Sequence, residues 1–222
     1  MPVSIKKHRA SQAWLARHIN DPYVKQAQQQ GYRARSAFKF IELDDHFKLL
    51  KLGQKIVDLG SAPGSWCQVV SERTRQGGVQ RCPILALDLL PMEPVAGVTF
   101  MQGDFREDAV LEQISQWLDG TKVNLVMSDM SPNLSGVSSA DAARMEHLLE
   151  LCLEFGVQHL SPEGALVLKA FHGSGYSQMI KRLKNTFNKV EAFKPKASRD
   201  ESSETYVVAR GLKAVRIPEV VL

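Results

Sequence analysis

The sequence predicts an α/β protein built on one doubly wound, seven-stranded, mostly parallel sheet, with an antiparallel last strand and helices on both faces. Three observations predict it. From Gly53 onward, short apolar runs alternate with helix-period segments, the signature of repeated βαβ units. The first run, Ile56-Val57-Asp58-Leu59, breaks into Gly60-Ser61-Ala62-Pro63-Gly64, and in open sheets the ligand crevice lies beyond such strand ends. The last two runs are joined by a connection too short for a right-handed crossover helix, so they should pair antiparallel.

Strands are expected at about 55–60, 84–89, 98–102, 123–128, 164–170, 188–194 and 204–211, and helices at 64–76, 107–118, 140–160 and 174–187. Ile56, Val57 and Leu59 suit a strand buried on both sides, and Leu85-Ala86-Leu87 and Ala165-Leu166-Val167-Leu168 repeat the pattern. Residues 11–50 read as helices, with Ser36 a candidate N-cap for the segment carrying Phe38, Phe40, Ile41 and Leu43. The first ten residues read as a flexible basic tail. Residues 1–50 are thus expected to form a basic, helical extension and residues 51–222 the sheet domain, together one globular unit.

At 222 residues and 44% apolar content the chain can bury one large core. No run reaches the roughly 18 apolar residues of a membrane span, and Met-Pro-Val-Ser-Ile-Lys-Lys-His has no signal-peptide core, so a cytoplasmic protein without membrane attachment is expected. Cys67, Cys82 and Cys152 are odd in number and widely spaced, which excludes a disulfide framework and a Cys-x-x-Cys zinc site; no metal is expected. Cys67 adjoins the glycine turn, but no histidine in the sequence is an evident partner for it as a nucleophile.

Charge is unevenly placed. Residues 1–39 carry eight Lys or Arg against Asp21 alone, a net +7 that leaves −3 on the remainder. Lys6, Lys7, Arg9, Arg33 and Arg35 are the candidate contacts for a polyanion, with a solvated amphipathic face as the bland alternative. Residues 181–199 add seven basic side chains against Glu191.

The chemistry concentrates where strands end. Gly60 and Gly64 permit a sharp turn and close backbone approach to a ligand, without the Gly-x-Gly-x-x-Gly spacing of a dinucleotide site or a Gly-Lys-Ser/Thr for triphosphate. Asp88 and Asp104 end the next two strands. The first can accept two ribose hydroxyls and the second an adenine amino group; helix N-capping is the alternative for each. Asp129 and Lys169 end the fourth and fifth strands, side by side if those strands are neighbours. A lysine after four apolar strand residues demands a partner, either in a structural ion pair or in catalysis.

Several motifs in order carry a resemblance to a known family: Arg33-Ala34-Arg35-Ser36-Ala37-Phe38-Lys39, the glycine turn, Leu87-Asp88-Leu89-Leu90-Pro91-Met92, Gln102-Gly103-Asp104-Phe105-Arg106, Ser128-Asp129-Met130-Ser131-Pro132-Asn133, Lys169-Ala170-Phe171 and Ser203-Glu204-Thr205-Tyr206. Across nearly its whole length the chain resembles the FtsJ-like ribosomal RNA 2′-O-ribose methyltransferases. The resemblance implies a Rossmann-like class I methyltransferase fold and a catalytic Lys-Asp-Lys-Glu tetrad at Lys39, Asp129, Lys169 and Glu204. It also implies S-adenosylmethionine held by Gly60, Gly64, Trp66, Asp88, Asp104 and Asp129.

The target it implies is a uridine ribose in the aminoacyl-site loop of large-subunit rRNA, with the large ribosomal subunit as partner and a monomeric enzyme. Within that frame Lys169 is expected as general base and Asp129 as its orienter, with Lys39 and Glu204 positioning the ribose; burial and neighbouring carboxylates shift the Lys169 pKa in opposite directions. The chain departs from the family at Ser131, where the family has Ala, and at His172 and Ser174, where it has Gln and Glu. A transfer-RNA 2′-O-methyltransferase would share this catalytic set, and a non-catalytic ribosome-assembly factor would share the basic arm. An exocyclic-amine methyltransferase leaves the lysines unexplained, because Asn133 stands where an aromatic would clamp the base.

Overall fold

The computed structural model describes residues 19–132 and 135–214. Two helices come first, α1 (Pro22–Gln30) and α2 (Ser36–Phe47). Asp21 caps α1 by accepting from Tyr23 N at 3.0 Å, Pro22 opens it, and left-handed Gly31 ends it. The sheet is built from β1 (Ile56–Leu59), β4 (Ile84–Asp88), β5 (Val98–Gln102), β6 (Val123–Ser128), β7 (Leu160–Phe171), β8 (Phe187–Phe193) and β9 (Glu204–Leu212). Between them lie α3 (Ser65–Arg73), α4 (Asp108–Leu118), α5 (Ser138–His159) and α6 (Tyr176–Thr186), together with a small hairpin, β2 (Arg75–Gln76) and β3 (Val79–Gln80).

The strand order is β5-β4-β1-β6-β7-β9-β8. β5, β4, β1, β6 and β7 are parallel, and β9 runs antiparallel to both β7 and β8, between them. Side chains alternate across the pleat. Val57, Leu59, Leu85, Leu87, Val126, Leu166 and Leu168 face the helices α4, α5 and α6. Ile56, Ile84, Ala86, Leu125, Met127 and Val167 face α2 and α3. Ala37, Phe40, Leu43 and Phe47 of α2 belong to that second core, so the helix carrying Lys39 is packed on the sheet.

The seven strands lie where expected, although β7 begins four residues early, and the helices from α4 onward agree within two residues. Two expectations are corrected. The helix expected over 64–76 stops at Arg73, because Gly77 and Gly78 both adopt positive φ (58° and 79°) and turn the chain into the β2–β3 hairpin. Ser36 is not an N-cap: Ala37 N and Phe38 N already bond to Ala34 O and Arg35 O, so the turn starts a residue sooner and Ser36 Oγ instead lies 2.8 Å from Ser65 Oγ. The expected basic tail, with Lys6, Lys7 and Arg9, lies outside the described residues.

Candidate active site

Backbone contacts hold the glycine turn. Gly60 N and Ser61 N both donate to Leu87 O, at 2.8 and 3.0 Å, and Gly64 N donates to Ser61 O at 2.6 Å. Gly60 has φ +74°, and a Cβ there would stand 2.0 Å from Met130 Cγ, so conformation and crowding both require glycine. Beyond the turn opens a cleft of about 550 Å³, lined by Gly60, Asp88, Asp104, Asp129, Met130 and Ser131 among others. It sits past the carboxyl ends of β1, β4, β5 and β6, the crevice expected of an open α/β sheet.

Two aspartates in this cleft are in different states. Asp88 accepts one backbone N–H on each oxygen, from Ala62 N and Leu90 N, both at 2.8 Å. Each oxygen retains acceptor capacity, which suits a pair of ribose hydroxyls. Asp104 is gripped by Arg106, whose Nε lies 2.9 and 3.0 Å from the two carboxylate oxygens and whose Nη2 and backbone N add further bonds. Hydrogen bonding from Arg106 accordingly lowers the Asp104 pKa. An adenine amino group can reach this carboxylate only by exchanging with the Arg106 side chain.

On the β7 side of β6 the four tetrad residues meet in one ion network. β7 and β9 pair Lys169 with Tyr206 and Phe171 with Glu204, so Lys169 and Glu204 come from facing strands. Asp129 follows the end of β6, and α2 delivers Lys39 from above. Lys39 Nζ lies 2.6 Å from Glu204 Oε1; Lys169 Nζ lies 3.3 Å from both Glu204 Oε2 and Asp129 Oδ1. The hydroxyls of Ser198 and Tyr206 donate to Glu204 Oε1 (2.7 Å) and Asp129 Oδ1 (2.6 Å).

Burial decides how these charges behave. Burial alone would raise the Glu204 pKa, but the Lys39 and Lys169 ammonium groups outweigh it and bring the value down to about 2. Burial alone would lower the Lys169 pKa, but attraction to Asp129 and Glu204 outweighs it and leaves the group above the ordinary lysine value. The competition of signs expected from sequence is therefore won by the carboxylates, and Lys169 rests as ammonium. Burial, then the charge of Asp129, pushes the Tyr206 phenol well above its usual value and keeps it a donor.

An FtsJ-like methyltransferase family model matches residues 32–212. The chain belongs to this family. It is 61% identical over 208 residues to a Bordetella pertussis protein named ribosomal RNA large subunit methyltransferase E, covering 93% of this chain and 99% of that one. It is 56% identical over 219 residues to a Burkholderia lata protein of the same name, covering 95% and 99%. A crystal structure of a ribosomal RNA methyltransferase from Plasmodium falciparum superimposes with a TM-score of 0.73 at 30% identity, covering 82% of this chain and 98% of the other.

Some residues expected in the FtsJ-like site stand elsewhere. Gly64 and Trp66 do not line the cleft. The Trp66 indole is buried, donates to Ser36 O at 2.8 Å and packs on Phe40 and Tyr206, behind the ion network. Gly64 N is taken by Ser61 O, so of the two only the backbone N–H of Trp66, at the uncapped start of α3, is left to meet a ligand. Arg33 and Arg35 are not free basic contacts: Arg33 donates to Pro63 O, Glu93 O and Pro94 O at 2.6–2.8 Å, clamping the glycine turn to the loop after β4. Arg35 pairs with Asp21 at 3.2 Å and donates to Ala197 O at 2.6 Å. Loop carbonyls and the N-cap Asp21 of α1 thus already engage both guanidinium groups.

Sequence reading assigned no role to Tyr206, Ser198, Arg106 or Asp58. Tyr206 had a usable signal, since two residues along a strand return to the same face as Glu204. Ser198 had none, being brought in by a loop. Asp58 lies wholly buried under the glycine turn, where burial raises its pKa to about 7 and Cys67 Sγ donates to it at 3.1 Å. Burial also pushes the Cys67 thiol well up, which makes it a poor nucleophile. Among the described residues there is no cluster of three or more His, Cys, Asp or Glu fit to hold a metal, and no helix long and apolar enough to cross a membrane.

Proposed function

We propose that this FtsJ-like methyltransferase transfers a methyl group from S-adenosylmethionine to the ribose 2′-hydroxyl of a uridine in the aminoacyl-site loop of large-subunit rRNA, acting in the cytoplasm on the assembled large subunit. The observation that carries the reaction class is the closed Lys39–Glu204–Lys169–Asp129 network opening at Asp129 onto a cleft sized for a nucleoside ligand. The substrate rests on the relatives, which are named for large-subunit rRNA methylation and match over nearly their whole length.

The residues present fit the cofactor. Asp88 has acceptor positions left for ribose hydroxyls, and Gly60 keeps the turn bare of a side chain. The uncapped start of α3 offers the backbone N–H of Trp66 to a carboxylate. When bound, S-adenosylmethionine would supply an activated methyl group and a sulfonium positive charge. Beside that charge Lys169 would release its resting proton to solvent and stand as the neutral amine that a general base must be. The substrate hydroxyl then passes its proton to Lys169 Nζ as the oxygen attacks, and Asp129 and Glu204 hold the resulting ammonium. Tyr206 and Ser198 keep the two carboxylates aimed, and Lys39 cancels the second charge on Glu204. Basic residues of the amino-terminal segment, Lys6, Lys7 and Arg9, serve as phosphate contacts on the RNA.

The test is transfer of labelled methyl from S-adenosylmethionine to unmodified large ribosomal subunits, naked rRNA and transfer RNA, with nuclease mapping of the product and Lys169→Ala alongside. The expected result is label on one large-subunit ribose that disappears in the variant. Label on transfer RNA would change the substrate; tight cofactor binding with no labelled RNA would leave an assembly factor.

A further inference from the structure

A second chamber, of about 430 Å³, opens past the end of β7 on the α5–α6 face of the sheet. Among the described residues, Pro132 alone lines both it and the first cleft. Its floor is apolar, with Met145, Leu149 and Met179 buried. Phe171 forms the side toward the ion network, its ring centre 5.7 Å from Lys169 Nζ. The rim carries an aromatic pair, His172 and Tyr176, with ring centres 4.4 Å apart and planes tilted by 47°. His172 N donates to Ser203 O at 2.9 Å, which ties this rim to the residue before Glu204.

Across from the rings stands Glu146 of α5, whose Oε2 would lie 3.4 Å from a Cβ at Gly175. Two further carboxylates belong to the lining, Glu201 and Asp141, and Asp141 is occupied by Ser135 and Gly136. An apolar floor, an aromatic rim and a placed acceptor form the usual composition of a site for a flat heterocycle. Aromatic side chains stack on the π-face of unpaired bases, and carboxylates accept N–H groups from base edges.

Resting on the 2′-O-methylation reading above, we propose that this chamber receives the base of the acceptor nucleotide, swung out of its stack onto His172 and Tyr176, while its ribose lies at Lys169. The position follows from continuity: a nucleotide with its hydroxyl at Lys169 has its base within reach of the Phe171 side of the network, and the first cleft is on the other side of Pro132. An enzyme acting on a sugar inside structured RNA gains access by extruding the nucleotide. Of the three departures that the family resemblance implies, His172 and Ser174 line this chamber and Ser131 lines the first cleft.

The test uses the full chain with S-adenosylhomocysteine added and uridine 5′-monophosphate as the probe, followed by NMR of methionine methyl and histidine ring signals. Shifts are expected at Met145, Met179 and His172. The dissociation constant should rise about tenfold in His172→Ala and in Tyr176→Ala, and His172→Phe should restore it. On unmodified large-subunit RNA the two alanine variants should raise KM about tenfold and leave kcat within about twofold. Shifts confined to the residues of the first cleft, or a KM untouched in both alanine variants, would overturn the chamber while methyl transfer by the unaltered protein kept the parent reading intact. Nucleotide binding without any methyl transfer to RNA by the unaltered protein would overturn both.

Discussion

On the β4–β5 side of β1 the site is made largely of backbone: positive-φ glycines, N–H groups returning to Leu87 O, and one aspartate bonded to the turn it faces. On the β7–β9 side it is made of side chains, four charges delivered by α2, β6, β7 and β9 and closed by two hydroxyls. The first half is local in the chain and the second is not. That difference separates holding a ligand from performing chemistry on it, and each half should fail in its own way.

The largest effect is expected at Lys169. Lys169→Ala should lower methyl transfer by about 100-fold or more while S-adenosylmethionine affinity, read by calorimetry, changes less than about twofold. A comparable loss of affinity would mean that the halves are not separable. Next is Gly60→Ala, which meets Met130 at 2.0 Å and forces alanine to φ +74°. Because Met130 follows Asp129, this substitution should damage both halves together, with a stability loss of about 3 kcal/mol in urea unfolding and lower cofactor affinity and turnover.

Arg33→Ala should act on the backbone half alone. Losing three charged hydrogen bonds to carbonyls in a partly exposed setting should cost about 1–2 kcal/mol. The slope of RNA affinity against salt should stay unchanged, and a flatter slope would return Arg33 to the RNA contacts. The last effect is confined to pH. Asp58 has its folded pKa raised from 3.8 to about 7, so above 3.8 the unfolded chain ionises first and stability falls as pH rises from about 3.8 to about 7. Asp58→Asn should remove that fall: its melting temperature should match the parent protein near pH 4 and exceed it at pH 8. Equal melting temperatures at both pH values would show that folding does not raise the Asp58 pKa, the carboxyl ionising as readily in the folded protein as in the unfolded chain.

The same contrast explains what could be read from the chain. Near-continuous apolar runs announce buried parallel strands, and a strand breaking into glycines announces the crevice, because both are written in adjacent residues. Lys169 was conspicuous because an apolar strand makes its charge anomalous. The helix ending at Arg73 was missed because the turn at Gly77-Gly78 competes with a helical pattern running into it. The packing of Trp66, Arg33 and Arg35 was hidden for a common reason: residue type shows that an indole or a guanidinium will find partners, and only the folded chain shows that these include Ser36 O, Pro63 O and Ala197 O. The position of β9 was the least legible feature, since an antiparallel partner for β8 is local whereas its insertion beside β7 is a long-range pairing.

That insertion sets an order of events during synthesis. The strands that frame the glycine-turn cleft, β1, β4, β5 and β6, are complete by Ser128, well before Glu204 and Tyr206 emerge on the strand that must slot between β7 and β8. A growing chain can therefore build its ligand crevice while both lysines still lack Glu204 and Asp129 still lacks the tyrosine hydroxyl. The gap beside β7 stays an open sheet edge until β9 arrives, and only then is the four-charge network complete.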